Sequence, residues 1–104
     1  MKKKVDISDH QSLIHLETGD ILQISLPENG TTGYIWHLEG PVASGASIDD
    51  DVAKVDSTAM GAGGTRKIKW LFVKAGTYHL HYELKQAWNP SEIEQNFEIT
   101  VEVI

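Results

Sequence analysis

Alternation of apolar and polar residues is the feature of this sequence that most constrains its fold. Five segments alternate with a period of two, and they cover residues 22–26, 34–38, 67–72, 78–84 and 97–103. Successive side chains of a β-strand point to opposite faces, so this pattern is typical of strands with one buried face. No segment has sustained helical periodicity. The sequence therefore predicts an all-β protein.

Turn-forming residues separate the alternating segments at short intervals. Glycine, proline, asparagine and aspartate recur near residues 17–20, 27–30, 61–64, 74–76 and 89–91. Weaker strands are expected at residues 13–16 and 46–55. About seven to eight short strands in 104 residues predict a single domain, residues 1–104, that folds as an immunoglobulin-like antiparallel β-sandwich. Trp36 is expected in its core, on a central strand.

The charge and the residue types exclude several classes of function. The formal net charge is −6, and the basic run Lys2-Lys3-Lys4 is expected to be a solvated tail, so we expect no nucleic-acid partner. The chain has no cysteine, which excludes disulfides, a thiolate nucleophile and cysteine-ligated zinc. No apolar stretch approaches the roughly 20 residues of a membrane span.

The sequence leaves localisation open. Its basic start resembles the n-region of a secretory signal, but residues 5–10 do not form an apolar h-region. The protein is therefore expected to be cytoplasmic as the sequence is written, or secreted or periplasmic if a signal peptide has been removed.

The loop Asn29-Gly30-Thr31-Thr32-Gly33-Tyr34 presents small uncharged groups between two predicted strands. Gly30 and Gly33 reach positive φ at little steric cost, and Asn29 tolerates it better than most residues. The expected tip shows threonine hydroxyls and methyls in place of charge. Such a tip suits insertion into the cleft of a partner, and an ordinary turn between strands is the alternative.

A second loop contains Gly61-Ala62-Gly63-Gly64, with Met60 beside it. A phosphate-binding glycine loop needs a following helix, whereas a predicted strand follows here. We therefore expect either a flexible hairpin or a backbone surface that a partner approaches closely.

A third loop is predicted from Lys85 to about Glu94, and it contains Trp88. This tryptophan lies outside the alternating pattern, so it either folds back on the rim of the core or anchors an interface. In a sandwich, the loops that follow the second, fourth and sixth main strands meet at one end. The three loops are therefore expected to share one surface.

Together these motifs resemble the chagasin-type inhibitors of papain-family cysteine proteases, the ICP family. That family has an Asn-Pro-Thr-Thr-Gly-Tyr/Phe loop, a Gly-x-Gly-Gly loop and an Arg-Pro-Trp/Phe loop, in this order. The corresponding segments here are residues 29–34, residues 61–64 and Gln86-Ala87-Trp88. Trp36 and the run Ala75-Gly76-Thr77-Tyr78 also fit, and the resemblance extends from about Ile7 to the end.

Three positions depart from the family pattern. Gly30 replaces a proline, which gives the threonine loop more backbone freedom and raises the entropy lost on docking. Gln86 and Ala87 replace arginine and proline, so a charged donor and a rigid bend are absent, while the aromatic Trp88 is retained. Lys85 is a candidate to replace part of the arginine charge.

The resemblance implies a reversible, tight-binding inhibitor that is not itself an enzyme. Thr31 and Thr32 would enter the catalytic cleft of a papain-like protease, and the other two loops would brace either side. Protease contact is thereby assigned to Asn29, Gly30, Thr31, Thr32, Gly33, Tyr34, Gly61, Ala62, Gly63, Gly64, Gln86, Ala87 and Trp88. No catalytic residue, cofactor or metal is implied, and a monomer is expected.

The residues alone also allow three other interpretations. A serine hydrolase would need a Ser-His-acid set, but the serines lie near charged or turn segments and no nucleophile-elbow pattern appears. His79 and His81 share a strand face and, with His37 or a carboxylate, form a candidate metal site. The main alternative is an immunoglobulin-like binding or adhesion module that uses the same loop end for a partner other than a protease.

Overall fold

The computed structural model describes residues 2–29, 32–55 and 64–104, and these residues are almost entirely in β-strands. One short 3-10 helix, Ile7–Asp9, lies near the start. The strands of the described residues are β1 (Lys2–Asp6), β2 (Leu13–Leu16), β3 (Ile21–Glu28), β4 (Tyr34–Glu39), β5 (Ala46–Val55), β6 (Gly64–Phe72), β7 (Gly76–Gln86) and β8 (Asn89–Val103). The predicted all-β fold is confirmed.

The described strands form two four-stranded sheets that pack face to face. The strand order is β1-β3-β6-β5 in the first sheet and β2-β8-β7-β4 in the second. The pairs β3–β6, β5–β6, β4–β7 and β7–β8 are antiparallel, whereas the pairs β1–β3 and β2–β8 are parallel. Alternation identifies the buried face of a strand but carries no information about its direction, so these parallel pairs were not predicted.

The core lies between the two sheets and follows the predicted alternation. The first sheet contributes Leu22, Ile24 and Leu26 from β3 and Ile68, Trp70 and Phe72 from β6; the second contributes Leu80 and Tyr82 from β7 and Phe97, Ile99, Val101 and Val103 from β8. Full burial of each large aliphatic or aromatic side chain stabilises the fold by roughly 1.5–3 kcal/mol. These residues therefore hold the two sheets together.

The basic start of the chain is an edge strand and not the solvated tail that was expected. Lys2–Asp6 pairs in parallel with β3, and Val5 is buried against the core. One apolar residue is too weak a periodic signal to predict a strand from sequence. Asp6 then caps the 3-10 helix by accepting from the Ser8 backbone N–H, which turns the chain towards the second sheet.

Trp36 is buried, as predicted, but its strand β4 lies at the edge of the second sheet and not at its centre. Its indole Nε1 donates to the Pro27 carbonyl across 2.8 Å. Pro27 lies beyond the end of β1, which pairs with β3 only as far as Ser25. A proline is tolerated there because it has no neighbouring strand on that side.

Among the described residues, no helix has the length and apolar character that would be needed to cross a membrane.

One hydrogen bond between side chains joins the two sheets inside the core. Trp70 Nε1 of β6 donates to the Tyr82 hydroxyl of β7 over 3.0 Å. Burial raises the pKa of Tyr82 to about 12, because ionisation would place a phenolate among apolar groups. The pair satisfies both polar atoms and fixes the position of the two aromatic rings.

We expect Tyr82→Phe to lower the free energy of unfolding at neutral pH by about 1–3 kcal/mol, because the Trp70 N–H loses its buried acceptor. The substitution should also remove part of the pH dependence. In the parent chain the unfolded phenol ionises near pH 10 and the folded one near 12, so stability falls as the pH rises between these values.

Urea unfolding of both chains, at neutral pH and at steps through this alkaline window, measures the two effects separately. The alkaline loss of stability should be smaller in Tyr82→Phe than in the parent chain. An equal alkaline loss in both chains would show that Tyr82 is not the group responsible.

Candidate functional site

The strand register brings the three predicted loops to one end of the sandwich. Glu28, which precedes the first loop, lies opposite Gly64, the residue that follows the second loop. Tyr34, which follows the first loop, lies opposite Gln86, which precedes the third. The first connection, which joins β3 to β4, therefore begins beside the second connection (β5 to β6) and ends beside the third (β7 to β8). The described ends of the three connections thus lie at the end of the sandwich where a shared surface was expected, while residues 56–63 of the second connection lie outside the described residues.

The described part of the first loop is closed by its own hydrogen bonds. Thr32 Oγ1 donates to the Asn29 carbonyl over 2.8 Å, and the Tyr34 N–H donates to Thr32 Oγ1 over 3.3 Å. Gly33 has φ +77°, the left-handed region that the sequence predicted for a glycine here. Gly30 and Thr31, both assigned to the site, lie outside the described residues.

The third connection is much shorter than predicted. Strand β7 continues to Gln86 and β8 begins at Asn89, so only Ala87 and Trp88 form the turn. The segment expected to be a loop as far as Glu94 belongs to β8, because irregular pairing near Leu84–Gln86 lets the long hairpin continue. Trp88 therefore lies at the tip of a hairpin.

Trp88 lies against the first loop and not on the rim of the core. Its side chain is 73% exposed, which is unusual for a residue of its size. A Cβ atom built on Gly33 would overlap Trp88 Cη2 and lie 2.9 Å from Cζ2. Only glycine at position 33 leaves room for the indole at this distance. The first and third connections are thus in direct contact.

A hydrogen bond adds to this contact. The Gln86 amide Nε2 donates to the Thr32 carbonyl over 2.9 Å. Sequence analysis placed both residues in the site but did not predict that they bind one another, because they are 54 positions apart. The Ala87 side chain is exposed beside them.

The second connection is described only at its ends. Gly64 begins β6 and pairs with both Glu28 and Val55, which places it beside the start of the first loop. Gly61, Ala62 and Gly63 lie outside the described residues, as does Met60.

A buried ion pair lies beneath the loops. The Arg66 guanidinium donates to both oxygens of Glu28, from Nε over 2.7 Å and from Nη2 over 3.0 Å. The same carboxylate accepts from the Trp36 backbone N–H over 3.0 Å. Glu28 and Arg66 belong to the first sheet and Trp36 to the second, so the carboxylate joins the sheets at the loop end.

Both charges of this pair are largely removed from solvent. The Glu28 side chain is only 3% exposed and that of Arg66 is 16% exposed. Hydrogen bonding to Glu28 raises the pKa of Arg66 further above its ordinary value, and a second bond from Nη1 to Asp51 adds to the effect. A buried carboxylate is tolerated only when paired and hydrogen-bonded, as it is here.

Sequence analysis missed this pair, although the sequence carries a signal for it. Glu28 continues the alternation that places Leu22, Ile24 and Leu26 on the inward face of β3. Arg66 likewise continues the alternation that places Ile68 and Trp70 on the inward face of β6. Opposite charges at inward positions of two strands indicate a buried ion pair. The run of turn-forming residues after Leu26 led to Glu28 being assigned to a turn instead.

Lys85 does not replace the charge of the family's arginine. Its Nζ binds Glu39 at 3.0 Å and Glu83 at 3.1 Å on the outer face of the second sheet. Glu39 and Glu83 raise the pKa of Lys85, and Lys85 in turn lowers the pKa of Glu39. The candidate replacement is therefore wrong, since this charge is already paired.

Of the three histidines considered for a metal site, His79 and His81 have hydrogen-bond partners, whereas the buried Nε2 of His37 has none among the described residues. His79 Nδ1 contacts Thr100 Oγ1 at 3.1 Å, and His81 Nε2 contacts Asn96 Oδ1 at 2.9 Å. His37 is on the neighbouring strand β4. Within residues 2–29, 32–55 and 64–104, no group of three or more His, Cys, Asp or Glu side chains could hold a metal ion.

Comparison with known proteins identifies a family. The family described as "Chagasin family peptidase inhibitor I42" matches residues 15–103. Chagasin from Trypanosoma cruzi is 29% identical over 105 residues, which cover 95% of this chain and 96% of chagasin.

Solved structures share the fold. The cysteine protease inhibitor EhICP2 from Entamoeba histolytica has a TM-score of 0.89 at 21% identity, with 99% of this chain and 96% of that chain covered. The structure of PbICP-C in complex with falcipain-2 has a TM-score of 0.70 at 21% identity, with 98% of this chain and 99% of that chain covered.

We expect Arg66→Met to lower the free energy of unfolding by about 3–5 kcal/mol, because it leaves the Glu28 carboxylate buried without a cation. The double variant Glu28→Gln/Arg66→Met should recover part of this loss, since it removes the charge as well. Asp51→Asn is the matched control: it removes only the charge of the more exposed partner of Arg66, keeps an acceptor oxygen and should cost less than about 1 kcal/mol. Urea unfolding measures all three, and equal losses for Arg66→Met and Asp51→Asn would contradict the account.

Proposed function

Because the chain belongs to the chagasin family of peptidase inhibitors, we propose that it inhibits papain-like cysteine proteases reversibly and tightly by filling the active-site cleft with its three loops. The observation that carries this proposal is the contact of the first and third connections at the loop end, where an exposed tryptophan lies on the threonine loop. The family and its relatives are inhibitors and not enzymes.

Two relatives support the choice of target. EhICP2 is a cysteine protease inhibitor. PbICP-C has been solved in complex with falcipain-2, a papain-like cysteine protease. Their folds match this chain over nearly its whole length. A papain-like protease is therefore the partner that we propose for this protein.

The first loop has the chemistry of a wedge that resists cleavage. It presents threonine hydroxyls and no charge, so entry into a cleft strips little bound water. The Thr32 N–H donates back to the Asn29 carbonyl and Gly33 has positive φ, so the described backbone is turned and not extended. A turned backbone does not offer a protease the extended conformation of a peptide substrate.

Trp88 is the proposed anchor of the third loop. An exposed indole buries a large apolar area on binding, and tryptophan is enriched among the residues that dominate interface energies. Contact with Gly33 holds the ring beside the wedge, so its position is set before the target arrives. In the second loop, Gly61, Ala62, Gly63 and Gly64 carry small side chains or none, which would let a protease approach the backbone closely.

A specific interface of standard size buries about 800 Å² on each partner. Residues 29–34, 56–64 and 86–88 together are long enough to supply an area of this order. Binding would lose little entropy at the described part of the first loop, because Thr32 and Gly33 already contact the third connection.

Titration of papain with the purified protein tests the proposal directly. We expect stoichiometric and reversible loss of activity, with the inhibitor recovered uncut after dissociation. Hydrolysis that is unaffected at micromolar inhibitor would contradict the proposal, and it would favour a binding module that uses the same loop end for another partner.

Trp88→Ala should weaken inhibition of papain by about thirtyfold or more, because the loss of a buried aromatic anchor costs at least about 2 kcal/mol. Val73→Ala is the matched control, since Val73 is also exposed but follows β6 at the opposite end of the sandwich. The inhibition constant of the control should stay within about twofold of the parent value. Equal effects of the two substitutions would argue against the loop end as the protease-binding surface.

A further inference from the structure

Gln86 has a structural role that its position in the third loop motif does not suggest. It is the last residue of β7, where the resembling family has an arginine. Its amide Nε2 points to the first loop and donates to the Thr32 carbonyl over 2.9 Å. A side chain in the proposed binding surface is therefore used for a bond within the protein itself.

Local hydrogen bonds shape the described part of the first loop. Thr32 bonds to Asn29 through both its N–H and its hydroxyl, and Tyr34 bonds to Thr32. Three contacts between described residues then tie this turn to the third connection: the pairing of Tyr34 with Gln86, the Gln86 side-chain hydrogen bond to Thr32 and the Trp88 ring on Gly33.

We propose that Gln86 is a positioning residue, which orients the threonine loop before a protease binds. The proposal rests on the proposed function, because the benefit is the smaller entropy loss on docking. The proposal also bears on Gly30, which stands where the chagasin-type inhibitors have a proline. Glycine gives the backbone more freedom than proline, and the Gln86 hydrogen bond to the neighbouring loop would compensate for part of that freedom.

The chemistry requires a donor at position 86. The Thr32 carbonyl can only accept, and the glutamine amide supplies the N–H. Glutamate has nearly the same size but only acceptors when ionised, so Gln86→Glu would place a carboxylate against the carbonyl oxygen. Arginine has several donors, so Gln86→Arg should keep the bond.

The first measurement uses the free protein. Backbone ¹⁵N relaxation should give order parameters at Thr32 and Gly33 that are lower in Gln86→Glu than in the parent chain, and close to the parent values in Gln86→Arg. Gln95→Glu is the matched control, because Gln95 is an exposed glutamine of β8 that pairs with Leu84 of β7. The same charge change there should leave the loop unaltered.

The second measurement uses papain. Gln86→Glu should weaken inhibition by roughly three- to tenfold, the range for loss of one hydrogen bond, whereas the control Gln95→Glu should stay within about twofold. Gln86→Arg keeps a donor to Thr32, so it should weaken inhibition less than Gln86→Glu. Thermal unfolding of all variants should be nearly unchanged because the bond is exposed. A loss of inhibition explained only by lower thermal stability would contradict a positioning role.

The two measurements separate failure of this inference from failure of the proposed function. If the parent chain does not inhibit papain, the relaxation data on the free protein still test whether Gln86 orders the loop. If the parent inhibits but Gln86→Glu leaves the order parameters unchanged, the other contacts hold the loop, and the positioning role of Gln86 is overturned.

Discussion

The buried ion pair between Glu28 and Arg66 is the interaction on which the loop end of this sandwich depends. The Glu28 carboxylate receives two bonds from Arg66 in its own sheet and one from the Trp36 backbone in the other. A carboxylate removed from water is destabilising unless its oxygens are satisfied, so these donors must hold their positions together. The first and second connections both leave the sandwich beside this pair.

This fixed base explains how a chain without disulfides holds the described ends of its connections in place. The apolar core joins the sheets along their length, while the ion pair joins them where the loops begin. Above it, Gln86 and Trp88 tie the third connection to the first. An inhibitor that blocks a cleft by shape needs this order, because any freedom left in the wedge is lost on binding.

The sequence predicted well those features of the fold that depend only on the packing of apolar side chains. Alternation at Leu22, Ile24 and Leu26 identified the buried face of β3, and the turn signals marked the connections that leave the sandwich at the loop end. The sequence did not predict features that depend on the direction of a strand or on a hydrogen-bond partner that is distant in sequence. Alternation does not distinguish the parallel pairing of Lys2–Asp6 from an antiparallel one, and nothing near Gln86 shows that Thr32 accepts its hydrogen bond. Glu28 was not predicted to be buried, because it lies in the run of turn-forming residues that follows Leu26.

Amide hydrogen exchange of the protein, free and mixed with a papain-like protease, tests the central claim most directly. We expect the protease to slow exchange in all three segments, residues 29–34, 56–64 and 86–88, while the outer faces of both sheets exchange as in the free protein. Protection confined to one of these segments, or found on a sheet face or at the opposite end, would contradict an interface built from three loops over the Glu28–Arg66 pair.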